Sequence, residues 1–94
     1  MEKIKNEAQQ LPINTNDELS RGRYSNTMLV THGPEEFMMD WLLHSPNGAH
    51  LVSRIIVTPS HMKRIVRALQ ENLEKYEQNF GEIKITDPPT VIMQ

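Results

Sequence analysis

The side chains best suited to chemistry in this sequence are four histidines, because neutral imidazole is the commonest metal ligand in proteins. They are His32, His44, His50 and His61. His44 and His50 flank a predicted turn and would face each other across a hairpin, but a zinc site normally has three or four protein ligands. The chain has no cysteine, so a thiolate site is excluded. We therefore expect neither a metal nor a cofactor.

The hydroxyl side chains show no pattern typical of nucleophilic catalysis. Ser53, Thr58 and Ser60 lie outside any G-x-S-x-G sequence, and no base is indicated beside them. The sequence also lacks a glycine-rich phosphate loop. We therefore expect no catalytic residues and no enzymatic activity.

Two charged residues, Asp40 and Arg54, lie among apolar neighbours on adjacent predicted strands. A four-residue connection between these strands would set the two side chains nearly opposite, where a cross-strand ion pair orients a hairpin. The alternative is two charges that simply emerge at a sheet edge.

The elements that position these residues follow from side-chain alternation and turn chemistry. Alternating β-rich segments predict three strands, over 23–31, 36–44 and 49–58. The turns between them are predicted at 32–35, which holds Gly-Pro, and at 45–48, which holds Asn-Gly. A helix that begins at Pro34 is an alternative for the second strand, since this segment also contains good helix formers.

A long helix is predicted from at least Ser60 to Gln78. Thr58 is a suitable cap, Pro59 fits the first helical position, and Gly81 suits the residue after the last turn. Apolar residues recur between them at spacings of three and four, and we call this set the apolar stripe: Met62, Ile65, Val66, Leu69, Leu73, Tyr76 and Phe80. We expect the stripe to face the sheet as one continuous surface. Ile83 and Ile85 are candidates for a short edge strand.

The predicted fold is therefore α+β, with a short antiparallel three-stranded sheet in the order β-β-β-α packed on one long C-terminal amphipathic helix. We expect a flexible N-terminal arm at 1–21, a single α+β domain at 22–86 and a C-terminal tail at 87–94. The N-terminus lacks the apolar run of a signal peptide, and no segment approaches the length of a membrane span. These features and the net charge of −2 favour a cytoplasmic protein that does not bind membranes.

A pattern of residues in this order indicates a family. It comprises Tyr24, Asn26, Glu36, Phe37, Asp40, Ser53, Arg54, Ile55, Ile56, Pro59, His61, Leu69, Asn72, Tyr76, Glu77, Phe80, Gly81 and Ile83. The pattern resembles the small bacterial proteins of domain-of-unknown-function family 3467. The resemblance spans 24–83, about two thirds of the chain. It implies fold and lineage, and it brings no activity, cofactor or catalytic residue.

Two features predict self-association. The sheet has a second apolar set that the helix cannot cover, and such a patch usually marks an interface: Met38, Leu42, Val52 and Ile56. On the helix, basic residues precede acidic ones, which is unfavourable for the helix dipole but would suit an antiparallel copy of the same helix. The interface candidates there are Arg67, Glu71 and Glu74. A solvated face with pairs such as Arg67 to Glu71 is the alternative.

The sequence thus favours a non-enzymatic homo-oligomeric module, most simply a homodimer, that engages another cytoplasmic protein through its arm and remaining sheet surface. The alternative is a single-stranded nucleic-acid-binding protein that uses the sheet face. Its candidate residues for stacking and phosphate contact are Tyr24, Phe37, Trp41, Arg21, Arg23 and Arg54.

Overall fold

The computed structural model describes residues 2–6 and 11–86. At the N-terminus, strands β1 (Glu2–Asn6) and β2 (Leu11–Thr15) pair in antiparallel fashion, and helix α1 (Asp17–Arg21) follows. Asn16 caps α1, because its Oδ1 accepts a hydrogen bond of 2.8 Å from the Leu19 N–H. No regular structure was predicted for this arm from the sequence. The predicted tail at 87–94 lies outside the described residues.

The central sheet is a meander of strands β3 (Thr27–His32), β4 (Phe37–Ser45) and β5 (Gly48–Val57), in the order β3-β4-β5. Both pairings are antiparallel, with Met39 opposite Val30 on one side and Ile55 on the other. The predicted three-stranded sheet is therefore confirmed. The helical alternative for the second strand is wrong, because β4 is bonded on both sides as the central strand.

Strand β3 begins at Thr27, four residues later than the predicted start at Arg23. Asn26 precedes it and continues the pairing with its side chain. Its Nδ2 donates to the His44 carbonyl at 2.9 Å, and its Oδ1 accepts from the His44 N–H at 2.8 Å. The side-chain amide of Asn26 thus makes the two hydrogen bonds that a backbone peptide of β3 would make. Both backbone groups of His44 are therefore paired beyond the end of β3.

The turn between β4 and β5 is centred one residue earlier than an Asn-Gly turn would be. Ser45 pairs with Gly48, so the two turn residues are Pro46 and Asn47. Proline holds φ near −65°, which excludes the turn type that needs two positive φ values. Gly48 opens β5 with φ +112°, a value that L side chains rarely adopt.

Helix α2 (Pro59–Phe80) confirms the predicted helix from Ser60 to Gln78. The Thr58 hydroxyl accepts a hydrogen bond of 3.2 Å from the His61 N–H and thereby caps the helix. At the other end Gly81 has φ +94°, and its N–H donates to the Glu77 carbonyl at 2.9 Å. The predicted α+β class, a three-stranded antiparallel sheet followed by a long helix, is confirmed.

The apolar stripe does not face the sheet along its whole length. Met62 and Ile65, near the start of α2, are half-buried, whereas the stripe residues from Val66 onward are exposed. Among the described elements, α2 makes only slight contact with any strand. The expectation of one continuous face against the sheet therefore holds only for the first two turns.

The chain after α2 forms no strand up to residue 86, so the expected edge strand at Ile83 and Ile85 is wrong. The Ile83 N–H instead donates to Glu77 Oε2 at 2.9 Å. This bond holds the segment against the end of α2, and its Ile83 N–H is therefore not paired with a strand. Ile85 remains almost fully exposed.

The buried core is small. Among the described residues, only three apolar side chains are less than a tenth exposed: Met39 at 7%, and Leu42 and Val57 at 9% each. All three belong to the central sheet. The helix contributes no buried residue.

Candidate functional site

The register of the sheet divides its side chains between two faces, because paired residues in an antiparallel sheet point to the same side. One face, the Met39 face, is formed by Met28, Val30, Met39, Trp41 and Ile55. The other, the Met38 face, is formed by Thr31, Met38, Asp40, Arg54 and Ile56. Four of the five residues of the Met39 face, all but Met39, remain exposed.

A β-bulge separates the four residues of the predicted second apolar set. The register shifts between Trp41 and Leu42, so Val52 has no partner in β4. Val52 lines a small cavity with Trp41 and Leu19, and Trp41 belongs to the Met39 face. Strict alternation had placed Val52 beside Ile56. An alternating pattern carries no mark of an inserted residue, so the bulge could not be predicted from it. The inserted residue changes which face each later side chain of the strand lies on.

The remaining members of that set differ in exposure. Met38 lies opposite Ile56 in the register. Met38 is half-buried, Leu42 is buried within the chain, and Ile56 is 54% exposed. The structure therefore does not bring the four residues together as one open patch. Their role as interface residues stays a prediction, which the exposed Ile56 is best placed to test.

Asp40 and Arg54 are direct register partners in the centre of the Met38 face. Arg54 Nε donates to Asp40 Oδ1 at 2.7 Å, and its second nitrogen donates to Oδ2 at 2.9 Å. This two-point geometry suits a planar guanidinium opposite a carboxylate. The hydrogen bond from Arg54 lowers the pKa of the Asp40 carboxyl below its ordinary value of 3.8. Both charges are thus satisfied within the chain.

The helix surface is the opposite case. Leu69 is 62% exposed and Phe80 is 75% exposed, although both belong to the apolar stripe. Within residues 11–86 the charged residues of the helix, including Arg67, Glu71 and Glu74, form no ion pair. The pair of Arg67 with Glu71, which belonged to the alternative of a solvated face, is thus absent among these residues. The side chains of α2 are available to a partner, both apolar and charged.

An apolar groove connects the helix with the sheet. It lies between the start of α2 and the start of β4, and it is lined mainly by Phe37, Pro59, Met62, Val66 and Arg67. This groove and the exposed Met39 face were not predicted from the sequence, because both surfaces were expected to be buried in a contact between helix and sheet. The apolar stripe of α2 did indicate a contact surface, but its periodicity alone does not identify the surface that packs against it.

His44 and His50 do not form the pair that was expected from the sequence. His44 lies opposite Ala49, and His50 lies opposite Leu43. Neighbouring positions on a strand point to opposite faces, so the expectation that His44 and His50 face each other is wrong. In the described part of the chain no three His, Asp or Glu side chains cluster in a way that could hold a metal.

Of the candidate residues for nucleic-acid binding, two arginines are already in ion pairs, whereas two aromatic rings are exposed. Arg54 is paired with Asp40, and Arg23 is paired with Glu18 at 3.1 Å. Tyr24 and Trp41 retain exposed ring surface. Binding of single strands stays a prediction, which fluorescence anisotropy with labelled single-stranded DNA at two salt concentrations would test, because phosphate contacts give a salt-dependent affinity.

Several residues of the family pattern have structural roles in this fold. Asn26 continues the sheet edge, Asp40 and Arg54 lock its centre, and Glu77 and Gly81 form the end of α2. These five residues of the pattern therefore contribute to how the fold is held together.

Comparison with known proteins agrees with this pattern. The family described as "Protein of unknown function (DUF3467)" matches residues 1–85. The match extends further toward the N-terminus than the resemblance, which began at Tyr24. No curated protein and no solved structure matches the chain. Over the described residues, no helix has the length and apolar character that a membrane span requires. The predicted resemblance is confirmed, and the chain belongs to domain-of-unknown-function family 3467.

Proposed function

We propose that this chain is a non-enzymatic, homo-oligomeric interaction module that acts as a two-fold dimer in the cytoplasm. The observation that carries the proposal is the contrast between its buried core and its exposed apolar surface. Only Met39, Leu42 and Val57 are buried apolar side chains among the described residues. Five stripe residues on the helix have half or more of their surface exposed: Val66, Leu69, Leu73, Tyr76 and Phe80.

The size of this surface supports association. Fully burying a large apolar side chain contributes roughly 1.5 to 3 kcal/mol. Since each of the five side chains is already partly covered, the remaining burial is worth roughly 1 to 2 kcal/mol each, or about 5 to 10 kcal/mol per copy. A small domain is stable by only about 5 to 15 kcal/mol in total. Covering the helix with a second copy would therefore supply a large part of the stability of this chain.

A two-fold dimer is the simplest closed arrangement for one self-complementary surface. The groups that the chain would use to engage another cytoplasmic protein are then those outside the dimer contact. They include the N-terminal arm, with its hairpin and short helix, and the exposed residues of the Met38 face, of which Ile56 is the most open.

Light scattering at micromolar concentration tests the dimer directly. We expect twice the mass of the 94-residue chain, and we expect a thermal unfolding midpoint that rises with protein concentration, since association stabilises the folded state by mass action. A monomeric mass together with a concentration-independent midpoint would refute the proposal.

A further inference from the structure

The apolar stripe contains a heptad repeat. Six of its seven residues, all but Ile65, follow one another at alternating spacings of four and three along α2: Met62, Val66, Leu69, Leu73, Tyr76 and Phe80. Such a spacing is typical of a helix that packs along its length against another helix in a coiled coil, with side chains of one helix between those of the other. No other described helix of this chain is long enough to be that partner, because α1 has only five residues.

We infer that the stripe is covered by α2 of a second copy, in an antiparallel pair centred at Gln70 and Glu71. The inference rests on the proposed dimer and specifies its contact. In this register Leu69 lies against the partner's Leu73, and Val66 lies against the partner's Tyr76. Met62 and Phe80 meet at the two ends. Each layer joins a residue from the first half of one helix to a residue from the second half of the other.

Charge complementarity fixes the direction. Lys63, Gln70 and Glu77 each follow a stripe residue by one position, so they lie in a row along one edge of the stripe at intervals of seven. An antiparallel partner brings Lys63 beside the partner's Glu77, and Gln70 beside the partner's Gln70. A parallel partner would instead bring this row beside the partner's opposite edge, which holds the uncharged residues at 65, 72 and 79, so Lys63 and Glu77 would have no charged partner there.

The charges needed for this contact are available. Lys63 forms no ion pair within residues 11–86. Glu77 uses Oε2 to accept from the Ile83 N–H, and its Oε1 makes no hydrogen bond within the same residues. The basic-before-acidic order along α2, unfavourable for the helix dipole, is therefore favourable for the pair.

The area is close to what a specific interface requires. At about 25 cal/mol per Å², the contribution proposed for each exposed stripe side chain corresponds to burial of roughly 40 to 80 Å². Five such side chains in each of two copies therefore remove on the order of 600 Å², and the flanking charged side chains bring the total near the ~1,000 Å² of a specific contact. Ile83 lies beside Leu73 and Tyr76 at the edge of the stripe and adds to the same surface.

Single-cysteine crosslinking tests the register, and the chain suits it because it has no native cysteine. Gln70→Cys places two thiols next to each other across the two-fold axis. We expect a short bismaleimide to convert most of this variant to a covalent dimer in native buffer and none of it in denaturant. Gln70 is exposed, so the substitution leaves the fold intact.

Lys63→Cys is the matched control on the same edge of the helix. In the antiparallel pair the two cysteines lie roughly 21 Å apart, at ~1.5 Å of rise per residue, so we expect no crosslink. Efficient crosslinking of Lys63→Cys would show a parallel pair and overturn the inference.

Ile56→Cys identifies the competing contact through the Met38 face. Crosslinking of this variant but not of Gln70→Cys, with a dimeric mass for the unmodified chain, would overturn the helix pair and leave the proposed dimer standing. A monomeric mass for the unmodified chain would overturn both. Crosslinking of Gln70→Cys alone supports the inference.

Discussion

The central sheet and helix α2 differ in where their side chains find partners. In the sheet, Asp40 and Arg54 satisfy each other, and the Asn26 amide bonds both backbone groups of His44. On the helix, the stripe is largely exposed and Arg67 and Glu74 form no ion pair in the part of the chain described. These polar groups of the sheet are thus paired within one chain, whereas the helix exposes most of its apolar stripe together with charges that form no ion pair among the described residues.

The largest effect should come from breaking the helix surface. Leu69→Asp places a carboxylate where the proposed contact buries a leucine in each copy. Losing two such contacts weakens the dimer by roughly 2 to 4 kcal/mol, which corresponds to about a 30-fold or greater increase in the dissociation constant. Sedimentation velocity across a range of protein concentrations measures it. The far-UV circular dichroism should not change, because Leu69 is 62% exposed in the single chain.

Gln78→Asp is the matched control for Leu69→Asp, because it adds the same charge to the same helix away from the stripe. We expect its dissociation constant to remain within about threefold of the original, as for an ordinary surface substitution. Equal weakening by both substitutions would show that net charge governs association and would remove the distinction between the helix surface and the sheet.

The second effect concerns the sheet, where Asn26→Ala removes the side chain that continues its edge. Two hydrogen bonds to His44 are lost, each worth about 1 kcal/mol net, so we expect the free energy of unfolding to fall by about 2 kcal/mol. Chemical denaturation followed by tryptophan fluorescence measures it, since Trp41 lies in the neighbouring strand. The dissociation constant of the dimer should stay nearly the same.

Asn47→Ala is the control for Asn26→Ala. Asn47 lies in the turn, and its side chain makes no hydrogen bond within residues 11–86, so the expected change is within about 0.5 kcal/mol. If the two substitutions were equally damaging, the Asn26 bonds would contribute nothing specific to the sheet.

The regular parts of this fold were predictable because local chemistry determines them. The cap at Thr58, the proline at Pro59 and the glycine at Gly81 define α2 without reference to any other element. For this helix the sequence within a few residues is enough. The short turn also brings Asp40 close to Arg54, but the turn alone would set Asp40 opposite Ser53, and the bulge at Val52 completes the register.

The rest of the fold depended on information that periodicity does not contain. Val52 forms a bulge, and an alternating pattern has no signal for an inserted residue. The arm forms a hairpin through the pairing of Ile4 with Ile13, although its polar composition is typical of an irregular segment. The stripe predicted that α2 packs on an apolar surface, but the same stripe fits a sheet or another helix equally well.

A smaller effect should follow from removing the helix cap. Thr58→Ala deletes the hydroxyl that accepts from the His61 N–H, and such a change typically costs about 1 kcal/mol of stability. Thr58→Ser keeps the hydroxyl and should stay within about 0.5 kcal/mol of the original chain. Thermal unfolding of both variants at one fixed protein concentration measures the difference. A Thr58→Ser variant as unstable as Thr58→Ala would assign the loss to the methyl group.

The smallest effect is the pH dependence of the Asp40 and Arg54 pair. Because the hydrogen bond from Arg54 lowers the pKa of Asp40 in the folded chain below 3.8, the unfolded chain binds a proton more readily at this site. The contribution of the pair to stability is therefore fully present above pH 3.8, and it is lost as the pH falls through the lowered folded pKa. The loss should be modest, since the Arg54 side chain is 49% exposed and water screens such pairs.

Asp40→Asn separates this contribution from the other carboxylates of the chain. Asparagine keeps the size of the side chain and an acceptor for Arg54 but has no proton to bind. We expect the difference in free energy of unfolding between the original chain and the variant to be constant from pH 5 to 7 and to shrink as the pH falls below 3.8. Added salt should reduce the same difference at neutral pH, because the pair is partly exposed. A difference that stays constant throughout acid titration would mean that the ionised form of Asp40 does not stabilise the sheet. The Asp40 and Arg54 pair would then stabilise the sheet through its hydrogen bonds and not through its charges. The sheet and α2 would in that case differ in exposed apolar surface, and the pairing of charges would not distinguish them.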